Sequence, residues 1–146
     1  MEKISKQLIK CFKRGNKVLI CGNGGSASMA QHMATELMCK FEHDRRPLPA
    51  ISLTTDTSFI TAFSNDYGFD AVFARQVLAL GKSDDILICI STSGNSQNVN
   101  NAMCVGNLKG LCVIDFPRKG KTTAKIQEYQ LKLMHDIVRE VEKAFI

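Results

Sequence analysis

Residues 85–90, Asp85-Ile86-Leu87-Ile88-Cys89-Ile90, empty directly into Ser91-Thr92-Ser93-Gly94-Asn95-Ser96, and a helix is expected over Gln97 to Leu108. No other stretch limits the fold as much. A short unbroken apolar run reads as a strand buried on both faces, the kind found in parallel sheets covered by helices. The turn after it supplies hydroxyls, and the helix start supplies unpaired N–H groups with positive dipole character. Together these make a phosphate cradle. The turn has no Lys and no GxxxxGK[ST] pattern, so it is not a nucleotide P-loop. A small phosphate monoester suits it better. The same residues also suit an ordinary Ser-rich turn that caps a helix.

The rest of the chain repeats the alternation. Helices are expected over 4–14, 27–40, 57–64, 71–80, 97–108 and 123–145, with a break at Asn65-Asp66-Tyr67-Gly68. Strands are expected over 17–21, 50–53, 85–90 and 110–114. Strands alternating with helices imply an α/β fold, a doubly wound (flavodoxin-like or Rossmann-like) parallel sheet with helices on both faces. A chain of 146 residues suits one domain, 1–146, with a real core. No apolar run approaches the roughly 20 residues that span a bilayer, and Met1 to Lys6 form no signal-peptide apolar region. A cytoplasmic protein without membrane association is therefore expected. The net charge of +5 suits an anionic small substrate without demanding one. Arg45-Arg46 and Arg118-Lys119-Gly120-Lys121 read as solvated loops, and no aromatics interleave with them, so nucleic acid is not expected as a partner. The six cysteines show no CxxC spacing and read as small buried hydrophobes of a reducing compartment.

Gly22-Asn23-Gly24-Gly25-Ser26-Ala27 matches G-x-G-x-x-A, so a dinucleotide site has to be weighed. That fingerprint needs an acidic residue about 20 positions on, at the end of the second strand. Asp56 comes about ten residues too late and a charged loop, 42–46, intervenes. The other reading is that glycines 22, 24 and 25 bring backbone close to a ligand, with Ser26 at the helix start binding it. Both turns, 22–26 and 91–96, fall at carboxyl ends of strands, where such sheets bind ligands and where the two can meet.

His32 and Glu36 stand four apart on the helix that begins at this turn and face the same way within about 40°. Such a pair can share a divalent metal, or be a plain hydrogen-bonded pair on a helix surface. Gln127 and His135 stand eight apart on the last helix, about 12 Å along its axis and about 80° in azimuth. That is a long reach for one ion, and periodicity alone makes His135 a partly buried helix histidine. His43, in a charged loop, is expected to be exposed and inert.

These segments occur in one order: Cys21 to Ser26, Gln31-His32 with Glu36-Leu37, Asn65-Asp66-Tyr67-Gly68-Phe69, Ser91 to Ser96, and Ile126-Gln127-Glu128 with His135. Together they resemble the phosphoheptose isomerase family of sugar isomerase (SIS) domains over almost the whole chain. The Ser91–Ser96 turn alone would indicate only the wider phosphosugar-binding superfamily. The resemblance implies conversion of sedoheptulose 7-phosphate to D-glycero-D-manno-heptose 7-phosphate for the heptose of lipopolysaccharide core. It implies one zinc per site held by His32, Glu36, Gln127 and His135, with Glu36 and His135 as acid–base groups. It implies a seven-carbon phosphosugar held by Asn23, Gly24, Ser26, Asp66, Ser91, Thr92, Ser93, Ser96 and Gln127. It implies a homotetramer with active sites at subunit interfaces.

Three features depart from the family. Its members usually carry a further helix before the segment matching Met1. Lys40 stands where the family usually has Arg. Near 114–116 the chain runs directly into the last-helix region, where the family has a Gly-rich turn and a fifth strand, about twenty residues by resemblance. A functional alternative is a non-catalytic SIS-domain protein binding a phosphosugar or another protein. One relative of this kind binds a replication initiator and has lost the catalytic residues; Glu36 and His135 are both present here.

Overall fold

The computed structural model describes all residues, 1–146. Four short apolar strands build the sheet: β1 (Val18–Gly22), β2 (Ala50–Ser52), β3 (Ile86–Ile90) and β4 (Cys112–Asp115). All neighbours are parallel, in the order β2-β1-β3-β4. The helices are α1 (Glu2–Lys13), α2 (Gly25–Met38), α3 (Thr57–Tyr67), α4 (Val72–Leu80), α5 (Gln97–Leu108) and α6 (Thr123–Lys143), with a single 3-10 turn at Phe69–Ala71. The doubly wound α/β class expected from the alternation is what forms.

The pleat explains why β1 and β3 are apolar and buried along their whole length. Val18 and Ile20 of β1, with Ile86, Ile88 and Ile90 of β3, point to one face and pack under α1, α2 and α6. Leu19, Cys21, Leu87 and Cys89 point to the other face and pack under α4 and α5. Side chains that meet a helix on both faces of the sheet are apolar; the polar strand residues are Ser52, whose hydroxyl pairs with Thr54 Oγ1 at 2.7 Å, and Asp115, exposed at the end of β4.

The order 2-1-3-4 reverses direction between β1 and β3. Such a switch leaves a crevice beyond the carboxyl ends of the two strands. The turn after β1 and the turn after β3 both open there.

Several local expectations are corrected. The segment 65–68 is no break after Ser64: α3 continues to Tyr67 and stops at Gly68, whose φ of +94° suits glycine. Cys39 and Cys104 are exposed, not buried, although all six cysteines are free as expected. Arg45 is not solvated: its side chain is fully buried and donates to the carbonyls of Glu36 and Cys39 at the end of α2. His43 is exposed as expected, yet its ring Nδ1 lies 3.4 Å from the Glu142 carboxylate. The fifth strand is absent, and Asp115 connects to α6 through residues 116–122 alone.

Candidate active site

Two turns meet at the switch point, and the glycines show why. A Cβ on Gly22 would stand 2.8 Å from the Ile90 carbonyl oxygen and 2.9 Å from Ser26. Only glycine lets the end of β1 lie so close to the end of β3 and the start of α2. Gly24 precedes α2 with φ +55°, and Ser26 is buried in the first turn. Asn23 and Asn98 then tie the turns together. Each amide donates to the other's oxygen, at 2.8 and 2.9 Å, across 75 residues of sequence.

The Ser91–Ser96 turn folds onto itself. Ser91 Oγ accepts from the Gly94 N–H at 3.0 Å, and Ser93 Oγ accepts from the Asn95 N–H at 3.1 Å. Ser96 caps α5 by position, with no side-chain bond to the first-turn N–H groups. The Val99 N–H of that first turn is taken by Asn98 Oδ1 at 2.9 Å, and the helix start favours an anion by its dipole. A cleft of about 140 Å³ lies against the first turn, lined by Asn23, Gly24, Thr54, Ile60 and Phe69 among others.

A second group of side chains stands further along α2. His32 Nε2 is 2.8 Å from Glu36 Oε1, as the i, i+4 spacing allows. His135 of α6 brings its Nε2 to 3.3 Å from the same oxygen. The two imidazole rings are 5.3 Å apart and nearly perpendicular. One ligand atom from each residue lies within 4.8 Å of the others. Glu36 is buried, and its Oε2 has no hydrogen-bond partner. An unpaired buried carboxylate oxygen costs on the order of a few kcal/mol. Two imidazoles and a half-satisfied carboxylate are a donor set that fits a divalent ion such as zinc.

The ends of α2 and α6 are fixed by charged groups that the sequence reading did not single out. Glu142, almost fully buried, accepts the N–H groups of Phe41 and Glu42 at 2.9 Å and that of His43 at 3.1 Å. Burial pushes its carboxyl up, but these backbone donors and the His43 ring outweigh it and hold it below its usual range. The loop so held presents the Phe41 ring to His135, stacked at 5.4 Å. Burial lowers the Arg45 guanidinium, against the pull of Glu142. At the other end of the sheet, Asp85 ties β3 to the start of β1. It accepts from the N–H groups of Lys17 and Lys82 and from the Lys17 ammonium.

The remaining expected residues fall as follows. Gln127 does not join the histidine–glutamate group within one chain. Its amide packs on the Cα of Gly25, at the start of α2, and Gly25 lies about 10 Å along that helix from His32. Asp66 lies exposed in the last turn of α3, accepting from its neighbour Asn65. Thr92 is partly exposed in the β3 turn. Asn98 and Gln130 are the polar residues missed. Gln130 is fully buried and donates to the carbonyls of Ser91 and Pro117. A buried amide on an otherwise apolar helix face was the one available signal.

A family model described as SIS domain matches residues 1–116. The chain is 44% identical over 160 aligned positions to a phosphoheptose isomerase of Pelobacter propionicus, covering 99% of this chain and 85% of that one. It is 45% identical over 161 positions to a phosphoheptose isomerase of Campylobacter concisus, with the same coverage. An alignment of 160 positions against 146 residues leaves at least 14 positions filled only in the relative, in keeping with a shortened chain. Among solved structures, a phosphoheptose isomerase from Francisella tularensis superposes with a TM-score of 0.93 at 36% identity, covering 97% of this chain and 84% of that one. One from Neisseria gonorrhoeae gives 0.90, also at 36% identity and with the same coverage.

Proposed function

Because the chain belongs to the phosphoheptose isomerase family of SIS-domain proteins, we propose that it converts sedoheptulose 7-phosphate to D-glycero-D-manno-heptose 7-phosphate through an enediol, in the supply of heptose for lipopolysaccharide core. The observation that carries this reading is the convergence of His32, Glu36 and His135 from two helices around one carboxylate oxygen. A non-catalytic SIS domain has no need of that group.

The chemistry follows from the residues. The phosphate sits between the Ser91, Thr92, Ser93 and Ser96 turn and the start of α2, where Ser26, Asn23 and Gly24 stand. From Ser26 to His32 is about 9 Å along the helix, the scale of an extended seven-carbon chain. The reacting carbons C1 and C2 thus reach Glu36 and His135. A ketose becomes an aldose when a base removes a C1 proton, an enediol forms, and a proton returns to C2. Glu36 carries that proton between the carbons, and His135 Nε2 moves the hydroxyl proton between O1 and O2. His32, Glu36 and His135 would hold zinc, and the ion would supply positive charge near the developing oxyanion. A carboxylate has two oxygens, so ligation and proton transfer need not share one atom.

The protein acts as a homotetramer on this reading. Its support is α3, an eleven-residue helix whose Phe59 and Phe63 rest partly on the core while Tyr67, stacked on Phe63, stands exposed at its end. Aromatic surface left exposed there needs a cover, and His32, nearly half exposed, opens the same site outward.

The test is turnover of sedoheptulose 7-phosphate by the purified protein, with bound zinc measured alongside. The aldose 7-phosphate is the expected product, and dialysis against a chelator is expected to lower zinc and rate together. A zinc-loaded, folded protein with no turnover would overturn the assignment.

A further inference from the structure

The basic link 118–121 is exposed, as a solvated loop is, but the Arg118 side chain turns back from it. Arg118 packs its guanidinium on Gly94, in the middle of the Ser91–Ser96 turn. Its Cζ, Nη2 and Nε lie 3.1, 3.2 and 3.4 Å from where a Gly94 Cβ would be. Two observations show that this placement is built. Gln130, fully buried, donates from one amide nitrogen to both the Ser91 and the Pro117 carbonyls, so the link is pinned to the turn one residue before Arg118. Asp115, at the carboxyl end of β4, then takes Nη1 at 2.7 Å and Nη2 at 2.6 Å.

We propose that Arg118 is a substrate-positioning residue that binds the phosphate of the sugar from the β4 side of the turn. The proposal rests on the reading of that turn as the phosphate cradle. A guanidinium has five N–H donors in a planar fork. Asp115 takes one from each terminal nitrogen, which leaves three for a second anion. The turn's own Gly94 and Asn95 N–H groups are closed onto Ser91 and Ser93, so a dianionic phosphate gains most from a cation beside them. The short passage from β4 to α6 brings the cation there: with only residues 116–122 between the two elements, the link must cross the mouth of the β3 turn. Asp115 holds the fork in place and keeps a lone positive charge from being left in the crevice.

Three variants and two readouts test this. The readouts are KM for sedoheptulose 7-phosphate and the affinity for inorganic phosphate, followed by its effect on the melting temperature. Arg118→Gln is expected to raise KM and weaken phosphate binding about tenfold or more, the loss of one charged hydrogen bond, with kcat little changed. Asp115→Asn removes the charge of the pair, but its amide oxygen still accepts from the fork and the guanidinium remains, so KM is expected to change far less. Arg118→Gln without effect on either readout, or Asp115→Asn matching its effect, would overturn the proposal, since the pair would then be only a brace. Ser93→Ala separates the two readings. If it weakens phosphate binding while Arg118→Gln does not, Arg118 falls and the cradle stands. If neither variant does so, the cradle falls with it.

Discussion

Glu36 is the residue through which the proposed chemistry has to pass, because both histidines address its Oε1 and its Oε2 is left without a partner. Proton transfer by a placed group is worth about 10²–10⁴-fold in rate. Glu36→Gln and His135→Gln are therefore each expected to lower kcat by at least about 10²-fold with a much smaller change in KM. Steady-state kinetics on both variants checks this, and near-normal kcat in either would return that residue to a structural role. The His32–Glu36 pair was legible in the sequence from its four-residue spacing. His135 was not: its approach depends on how α6 lies against α2, and periodicity sees only one helix at a time. The same holds for Asn98, which meets Asn23 across 75 residues, and for Arg118, whose neighbours in sequence suggest solvent.

At the scale of elements, α2 and α6 run side by side and are locked at both ends. Gln127 seats on Gly25 at their starts, and Glu142 with Arg45 and the 41–43 loop closes their far ends. That lock carries a pH dependence. In Glu142 and in Asp85 burial raises the carboxyl, but hydrogen bonds outweigh it and the net shift is downward from ordinary values of 4.5 and 3.8. Folded values below unfolded ones mean that the stabilisation is complete above the unfolded values and is lost as pH falls through the folded ones. Thermal melts are expected to be level near neutrality and to drop below about pH 4. Glu142→Gln is expected to melt lower at pH 7 and to show a flatter acid dependence; an unchanged acid limb would contradict the assignment. The elements themselves were readable because apolar runs and Gly punctuation mark them. The end of α3 was not, since Asn65 and Asp66 look like breakers yet sit in a helix that only Gly68 stops.

The whole molecule explains why two remote turns form one site. The strand order β2-β1-β3-β4 puts the chain's change of direction between β1 and β3, and both ligand-type turns follow those strands. The sequence allowed that meeting but could not require it, because strand order is not written in periodicity. The single chain also leaves Tyr67 and Phe69, at the end of α3, exposed. Light scattering is expected to give about 65 kDa, four times the 16.2 kDa chain. Tyr67→Glu is expected to lower that mass and the activity together; a monomeric, fully active wild type would contradict the interface. Isomerisation by proton transfer at Glu36 and His135 is read out by running the reaction in deuterium oxide and following the product by NMR. Aldose 7-phosphate carrying solvent deuterium at C2 is expected. No aldose, or aldose whose C2 hydrogen is still entirely protium after repeated forward and reverse turnover, would contradict it.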